Sequence, residues 1–211
     1  MSRKAVGKQV SGRRRLSHAN TEEATDERVR RSKEVVLRHT SELLVEKGVS
    51  GVSVDEVARR SGVAKTTIYR HWRTRSDLVI DACSSLSTAQ QTPDSGSFER
   101  DITILLLNLA HLLKTATWPS VLPSIVDAAE RDPDLAAVYA QIQHGHATPY
   151  LRVIERGKQK GQVAPALDGA TIVAELVGPL FYRRWFSREA LDEKFVKSVV
   201  RTVAGKFGMR T

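Results

Sequence analysis

The chain has 211 residues, of which 41% are hydrophobic and 6% aromatic, so we expect one or two domains with a mostly aliphatic core. This composition excludes a wholly disordered chain. The formal net charge of +9 at pH 7 is concentrated in residues 1–92, where 18 Lys and Arg stand against 11 Asp and Glu. A polyanionic partner is therefore expected for the N-terminal part.

The cysteine content and the hydropathy pattern bear on the cellular compartment. Cys83 is the single cysteine, which excludes an intramolecular disulfide and is typical of a reducing compartment. No apolar segment of the signal-peptide kind follows the basic N-terminus, and the apolar runs are far shorter than the ~20 residues of a membrane-spanning helix. We therefore expect a soluble, cytoplasmic protein without a membrane partner.

Residues 1–25 predict a basic, flexible arm, because they are polar and show no helical periodicity. Six cations and no acid lie among the first twenty residues: Arg3, Lys4, Lys8, Arg13, Arg14 and Arg15. Such an arm can follow DNA phosphates or enter a minor groove. A solubilising tail is the alternative, whereas an anionic membrane surface would need more than scattered apolar residues.

The first regular segment is an amphipathic helix predicted over residues 27–47, with Gly48 at the position of a C-terminal cap. Next comes a capping box, Ser53-Val54-Asp55-Glu56, in which the Ser hydroxyl and the Glu carboxylate both satisfy free amides at a helix start. A short second helix follows, and Ser61-Gly62-Val63 ends it.

Residues 64–71 form a third short helix in this interpretation. Thr74-Arg75-Ser76-Asp77 is a second capping box, and it opens a helix that runs to about residue 88. Residues 90–97 are rich in turn-forming types and indicate a linker.

The second half of the chain shows only helical hydrophobic periods and no alternating strand pattern. The stripes predict helices near 98–116, 120–131, 134–156 with a kink at Pro149, 168–186 and 189–207, and Gly157, Gly161 and Pro165 mark a loop. The predicted fold is all-α, with a three-helix helix-turn-helix domain before a helical bundle. The predicted units are a basic arm at 1–25, a DNA-binding domain at 26–90 and an effector-binding and dimerisation domain at 91–211.

Residues 51–78 carry the strongest functional signal, a capped helix, a turn with Gly62 at its centre, and a second short helix. This order is typical of a helix-turn-helix. Apolar residues form its inner face: Val57, Ala58, Val63 and Ile68. The outer face holds donors, cations and one aromatic ring without a carboxylate, as the major groove requires: Lys65, Thr66, Thr67, Tyr69, Arg70 and His71.

At these positions the chain resembles the TetR family of regulators. Val57-Ala58-Arg59-Arg60-Ser61-Gly62-Val63 matches the family's turn, and Thr67-Ile68-Tyr69-Arg70-His71-Trp72 matches its recognition helix. Ala64 stands where the family has a capping Ser, Trp72 where it has Phe, and Arg75 where it has Lys. Segments near Trp118, at 129–135 and at 178–183 resemble the C-terminal domain of one branch of the family.

The resemblance implies a homodimeric, usually repressing regulator that binds a double-stranded DNA operator and responds to a small effector whose identity stays open. Tyr69 and His71 resemble the family's phosphate contacts, and Ser53 opens the helix that precedes the recognition helix. Trp72 is expected as a plug between the recognition helix and the first and fourth helices. Arg75 has two equal interpretations, a phosphate contact and a solvated charge.

The effector site is indicated only weakly by the sequence. His111, Trp118, Tyr139 and Tyr182 are candidate ligand contacts, although His111 among leucines is more often a hydrogen-bonded core residue. No metal site or cofactor is expected, because His144 and His146 point to different sides of a helix and the chain has one cysteine.

The dimer interface is expected on the last two helices, since the resemblance implies that they pair with their copies as a four-helix bundle. Gly178 lies where close approach is expected, and the last helix supplies an apolar stripe for the seam: Phe195, Val196, Val199, Val200 and Val203.

Two other classes of function were weighed against a specific regulator. The basic arm also fits a non-specific, architectural DNA-binding protein, which a comparison of operator and random DNA distinguishes. An enzyme is not expected and no catalytic residue is assigned, because the sequence has no G-x-S-x-G, no Cys/His cluster and no phosphate-binding loop.

Overall fold

A computed structural model describes the backbone of residues 10–85 and 91–208, and the side chains of 27–84, 91–137 and 139–208. All regular structure in these residues is helical, as the sequence predicts. The elements are α1 Val10–Lys47, a 3₁₀ turn at Val49–Gly51, α2 Val54–Ser61, α3 Lys65–His71, α4 Arg75–Ser85, α5 Phe98–Thr115, α6 Trp118–Ala129, α7 Pro133–Gln159, α8 Gly169–Tyr182, a π-helical turn at Arg183–Ser187, and α9 Glu193–Lys206.

The first helix begins earlier than the sequence predicts. α1 starts at Val10, so residues 10–25 are helical rather than an irregular arm. This stretch contains no Pro, and three Arg, two Glu, two Ala and one Leu among its sixteen residues are good helix formers, which can continue a helix even where no apolar face requires one. Arg3, Lys4 and Lys8 lie outside the described residues, as does the predicted end of the fourth helix near residue 88.

Two further predictions about local structure need correction. Gly157 lies inside α7 instead of in a loop, and a Cβ there would come within 2.8 Å of Val163 Cγ2. In the first capping box, the Ser53 hydroxyl accepts from the Glu56 amide at 3.2 Å as predicted. The Glu56 carboxylate instead bonds Arg59 and Arg60.

Arg60 ties the second helix to the first. Arg60 donates to Glu56 at 2.9 Å and to Glu46 of α1 at 2.8 Å, so it bridges two helices. Hydrogen bonds from Arg59 and then Arg60 lower the pKa of Glu56 from 4.5 to about 2. The acid that the sequence assigned to a cap is therefore bonded to Arg60, and Arg60 makes the contact with α1.

The buried residues form two hydrophobic clusters. One lies among α1–α4 and includes Leu43, Val57 and Ile68, each fully buried. The other lies among α5, α7, α8 and α9 and includes Ile102, Leu106, Ile154, Ile172 and Leu180. The predicted leucine stripe of α5 is part of this second cluster.

The boundary between the two hydrophobic clusters does not coincide with the predicted linker at residues 90–97. Val121 of α6 and Leu135 of α7 are buried in the first cluster, although both follow residue 91. The Val49 amide donates to Ser124 Oγ of α6 at 3.2 Å, and Ser76 Oγ donates to Asp132 at 3.1 Å. The start of the second half is thus bonded to the helix-turn-helix, while the division into domains at 90 stays a prediction.

None of the helices in residues 10–85 and 91–208 combines the length and the apolar character needed to cross a bilayer.

Candidate DNA-binding face and ligand cavity

The turn between α2 and α3 is built around Gly62. Its φ of 69° lies in the left-handed region, and its amide donates to Ala58 O at 3.0 Å, which closes the end of α2. No side chain caps α3, as the presence of Ala64 predicts. Its first turn instead closes on the Ala64 carbonyl, which accepts from Thr67 at 2.9 Å and Ile68 at 3.1 Å.

The third helix has one buried and one exposed face, as predicted. Val57 and Ile68 have no exposed surface, and the partly buried Ala58 and Val63 pack against the same cluster. Trp72, the expected plug, is buried, and its indole N–H donates to Asp81 of α4 at 3.0 Å. This bond fixes α3 against α4.

The outward face of α3 carries the predicted DNA contacts. Tyr69 exposes 49% of its surface, Lys65, Thr66 and Arg70 are exposed, and Thr67 and His71 are half-buried. Whether each of the six side chains contacts DNA stays a prediction. Ser53 is also exposed, at the start of α2.

The charges on this face differ from one another. The Lys65 ammonium forms an ion pair with Asp55 of α2, so in the free protein its charge is partly compensated. Arg70 has no such carboxylate within the described residues. Burial, and then the charges of Lys33 and Arg70, lower the pKa of His71 below 6.5, so its imidazole is neutral at pH 7.

Of the two roles considered for Arg75, the structure contradicts the solvated charge, while the phosphate contact stays a prediction. Its Nε donates to Val52 O at 2.6 Å, and a terminal nitrogen donates to Val49 O. The guanidinium thus holds the 3₁₀ turn between α1 and α2 against the start of α4. The solvated charge is therefore wrong, and a phosphate contact would have to share a guanidinium that two carbonyls already engage.

A cavity of about 140 Å³ lies in the second half of the chain, between α4, α5, α6, α7 and α8. Trp118 and Tyr139, two of the four predicted ligand contacts, line it together with Tyr150 and Phe181. Aliphatic residues supply most of the remaining wall, and the polar groups come from α7 as Gln143 and His146. Burial lowers the pKa of His146 below 6.5, so it is neutral at pH 7.

The other two predicted ligand contacts do not reach the cavity. His111 is exposed on α5, so it is neither a core residue nor part of the lining. Tyr182 exposes 59% of its surface and stacks on Phe186 at 5.7 Å between ring centroids. The helix on which a residue lies does not reveal which way its side chain faces in a bundle, and a ligand contact by either residue stays a prediction.

Gln143, His146 and Ala147 line the cavity but were not predicted from the sequence. The signal was present, because they share one face of α7 with Tyr139 and Tyr150 at spacings of three and four. Cys83, which is buried and lines the cavity from α4, was not predicted either. Burial raises the pKa of the Cys83 thiol to about 11, so it lines the cavity as a neutral group.

The valines of α9 do not form an exposed seam. Val196, Val199, Val200 and Val203 are at most 7% exposed in the single chain and belong to its second cluster. Little of their surface is left for a second chain, and their assignment to the dimer interface stays a prediction. An apolar stripe shows that a helix face is covered and not which chain covers it. Phe195 is half-buried, with the Arg183 guanidinium 3.6 Å from its ring centroid.

An outward apolar face exists on α8 and the π-helical turn instead. Gly178 is exposed, and a Cβ built on it meets nothing within 4 Å. Tyr182 and the 75% exposed Phe186 follow at helical spacing on the same side. Of the predicted interface residues, Gly178 thus lies on a face that no other part of the described chain covers.

Comparison with known proteins agrees with this geometry. Residues 36–82 match the family model described as bacterial regulatory proteins, tetR family, and residues 92–203 match the tetracyclin repressor-like C-terminal domain. The uncharacterized HTH-type transcriptional regulator YdeS of Bacillus subtilis is 30% identical over 167 residues, covering 78% of this chain and 84% of YdeS.

Two other proteins are similar over most of the chain. The HTH-type transcriptional regulator AqdR of Rhodococcus erythropolis is 32% identical over 149 residues, which cover 70% of this chain and 72% of AqdR. The crystal structure of the TetR family transcription regulator SCO0332 superposes with a TM-score of 0.62 at 28% identity, covering 82% of this chain and 97% of that one.

Proposed function

The chain belongs to the TetR family of bacterial regulatory proteins and is a DNA-binding transcriptional regulator, and on that premise we propose that it is a homodimeric repressor released from a palindromic operator by a small hydrophobic effector. The observation that carries the proposal is the connection between the exposed face of α3 and the cavity. A similar protein that is 23% identical over 165 residues is a DNA-binding transcriptional repressor of Mycobacteroides abscessus.

The first connection runs through α4. The Trp72 indole at the end of α3 bonds Asp81 of α4, and Cys83 lines the cavity two residues further along the same helix. A ligand that displaces the wall at Cys83 therefore acts on the helix that holds the recognition helix.

The second connection runs through α6. Ile125 of α6 lines the cavity, and the adjacent Ser124 accepts from the Val49 amide in the helix-turn-helix. Val121, one turn earlier, is buried in the first cluster. A shift of α6 on ligand binding would therefore move the helix-turn-helix as a unit rather than only α4.

A small-molecule effector is supported by the character of the cavity, which is largely apolar with a few polar groups, as ligand sites between bundle helices commonly are. The fold also accommodates ligands in other proteins, since a regulator of the same fold, FadR of Bacillus subtilis, was crystallised with stearoyl-CoA. The effector can shift operator affinity only by its differential affinity for the free and DNA-bound states.

The dimer that we propose uses the outward face of α8 around Gly178, Tyr182 and Phe186. Two recognition helices must lie roughly 34–36 Å apart to read successive turns of one DNA face. Large exposed apolar residues on adjacent turns are typical of a surface that another protein covers. A second copy of the chain is the partner that a palindromic site requires.

To test DNA recognition, the operator is first identified as the sequence that the purified protein enriches from genomic fragments. The triple variant Tyr69→Ala, Arg70→Ala, His71→Ala is expected to lose preference for this operator over random DNA while it keeps its helical content and dimeric state. A matched control is Arg100→Ala, which removes an exposed cation from α5. Unchanged operator affinity in the triple variant would place the DNA contact elsewhere.

The test of the dimer compares two exposed apolar positions. Phe186→Asp is expected to yield a folded monomer by sedimentation, because it places a charge in the proposed seam. Ile104→Asp is the control, since Ile104 is 45% exposed on α5, away from that face. A Phe186→Asp protein that remains dimeric would exclude this face.

A further inference from the structure

The side chains that line the cavity are uncharged at pH 7. Fifteen residues of the described chain line it, and none is Lys, Arg, Asp or Glu. Its one histidine, His146, is neutral at pH 7 because burial lowers its pKa. An ionised ligand group would lose its hydration there without an opposite charge to replace it, which is strongly unfavourable. The walls therefore select an uncharged ligand.

The size of the cavity limits the ligand further. Its volume of about 140 Å³ is close to that of an engineered apolar cavity of about 150 Å³ that binds benzene. One six-membered ring with small substituents fills such a space.

The shape of the walls favours a flat ring. Trp118, Tyr139 and Phe181 present aromatic surfaces from α6, α7 and α8. The Trp118 and His146 rings face each other at 6.3 Å between centroids, with 33° between their planes. Aromatic rings gain from offset or edge contacts with such surfaces, and a puckered saturated ring of the same size makes fewer of them.

One polar pair lies on an otherwise apolar lining. The Tyr139 hydroxyl accepts a hydrogen bond from the Gln143 amide nitrogen one turn along α7. Because that hydroxyl accepts from Gln143, its own proton can be donated to a ligand oxygen, while the Gln143 carbonyl oxygen can accept from a ligand hydroxyl. The pair is therefore complementary to a single small oxygen group on the ring edge.

We propose that the cavity binds an uncharged, planar, single-ring aromatic compound with one hydroxyl or carbonyl group, which lies against Tyr139 and Gln143. That such a compound also acts as the effector rests on the function proposed above, whereas its binding does not. The ligand class follows from the wall chemistry and the volume together, since either alone would admit other compounds.

The experiment uses calorimetric titration of the full-length protein with four matched probes. 4-Methylphenol has every proposed feature and is neutral at pH 7. Toluene lacks the hydroxyl, 4-methylcyclohexanol lacks the aromatic plane, and 4-methylbenzoate replaces the hydroxyl by a charged group. We expect 4-methylphenol to bind about tenfold more tightly than toluene or 4-methylcyclohexanol, and about a hundredfold more tightly than 4-methylbenzoate.

Two variants locate the site. Tyr139→Phe is expected to weaken 4-methylphenol about tenfold and to leave toluene unchanged, because only the hydroxyl contact is lost. Thr115→Val, which removes an exposed hydroxyl of α5 outside the cavity, leaves both unchanged. Ala147→Phe fills the cavity and is expected to abolish binding of both probes, whereas Ala137→Phe on the exposed side of α7 does not.

The outcomes test the ligand class and the proposed effector control separately. Equal or tighter binding of 4-methylbenzoate or 4-methylcyclohexanol overturns the ligand class, as does the absence of 4-methylphenol binding. If 4-methylphenol binds with the expected selectivity but leaves operator affinity unchanged, the ligand class holds and control by an effector at this site fails. If a compound of another class binds and weakens operator binding, the proposed function holds and the ligand class fails.

Discussion

Replacing Arg75 by Ala separates a structural role from a DNA contact. The guanidinium is half-buried and donates to the carbonyls of Val49 and Val52, which close the turn between α1 and α2. A net hydrogen bond from a charged donor stabilises by about 1.5–3 kcal/mol, and partial exposure favours the lower end of that range. We therefore expect Arg75→Ala to lower the free energy of unfolding by about 2–4 kcal/mol, and Arg75→Lys to recover about half, since an ammonium cannot span both carbonyls in the same way.

The assay is urea unfolding followed by circular dichroism, at one fixed protein concentration because the stability of a dimer depends on concentration. Arg73→Ala is the matched control: it removes the same charge from an exposed position next to α3 and should change stability by less than about 0.5 kcal/mol. If Arg75→Ala unfolds at the wild-type urea midpoint while operator affinity falls, Arg75 is a DNA contact and the structural argument is refuted.

Three further predictions concern the core, the recognition helix and α7. The double variant Val199→Asp, Val200→Asp is expected to unfold rather than to form a folded monomer, because both valines are buried within one chain; a monomer with native helical content in sedimentation and circular dichroism would contradict this. Burial lowers the pKa of His71 below 6.5, so the imidazole becomes mainly charged only at a pH lower than 6.5. Operator affinity should rise as the pH is lowered from 7.5 to 5.5, because the charged imidazole attracts DNA phosphates. His71→Gln should remove this part of the pH dependence. If the variant has the same pH profile as the wild type, His71 does not contact the phosphates. Gly157→Ala should lower the free energy of unfolding by about 1–3 kcal/mol, because its Cβ would lie 2.8 Å from a valine methyl, whereas Gly145→Ala in open space on the same helix should raise it by about 0.4–1 kcal/mol; equal thermal shifts would argue against this packing.

Local features of the chain were predictable because they depend on neighbours along one helix. The turn at Gly62, the cap at Ser53, the second capping box and the two faces of α3 follow from residue types at fixed spacings. In the second box the Asp77 amide bonds the Thr74 hydroxyl at 3.0 Å and the Thr74 amide bonds the Asp77 carboxylate at 2.9 Å, as expected. The all-α class follows in the same way from the 3.6-residue period of the apolar positions.

Other features required the packing of distant segments. The stripe on α9 predicts a buried face correctly, yet only the tertiary structure shows that α5 and α8 of the same chain pack on α9 and that Val199 and Val200 belong to their cluster. The cavity draws its lining from five helices between Cys83 and Phe181, and no spacing along the sequence brings these residues together. Similarly, Arg75 bonds carbonyls 23 and 26 residues away, which a reading of its own helix cannot reveal.

The sequence by itself therefore determined the helices, their caps and the residues that α3 turns outward, because hydrogen bonding and amphipathic burial act within a few residues of the chain. The tertiary structure alone decided which buried faces meet, which polar groups share a cavity, and how α4 and α6 join that cavity to the helix-turn-helix. The physical reason is that a hydrophobic stripe records the need for burial but carries no direction toward a particular partner, whereas a cavity or a long-range hydrogen bond exists only once the helices are packed.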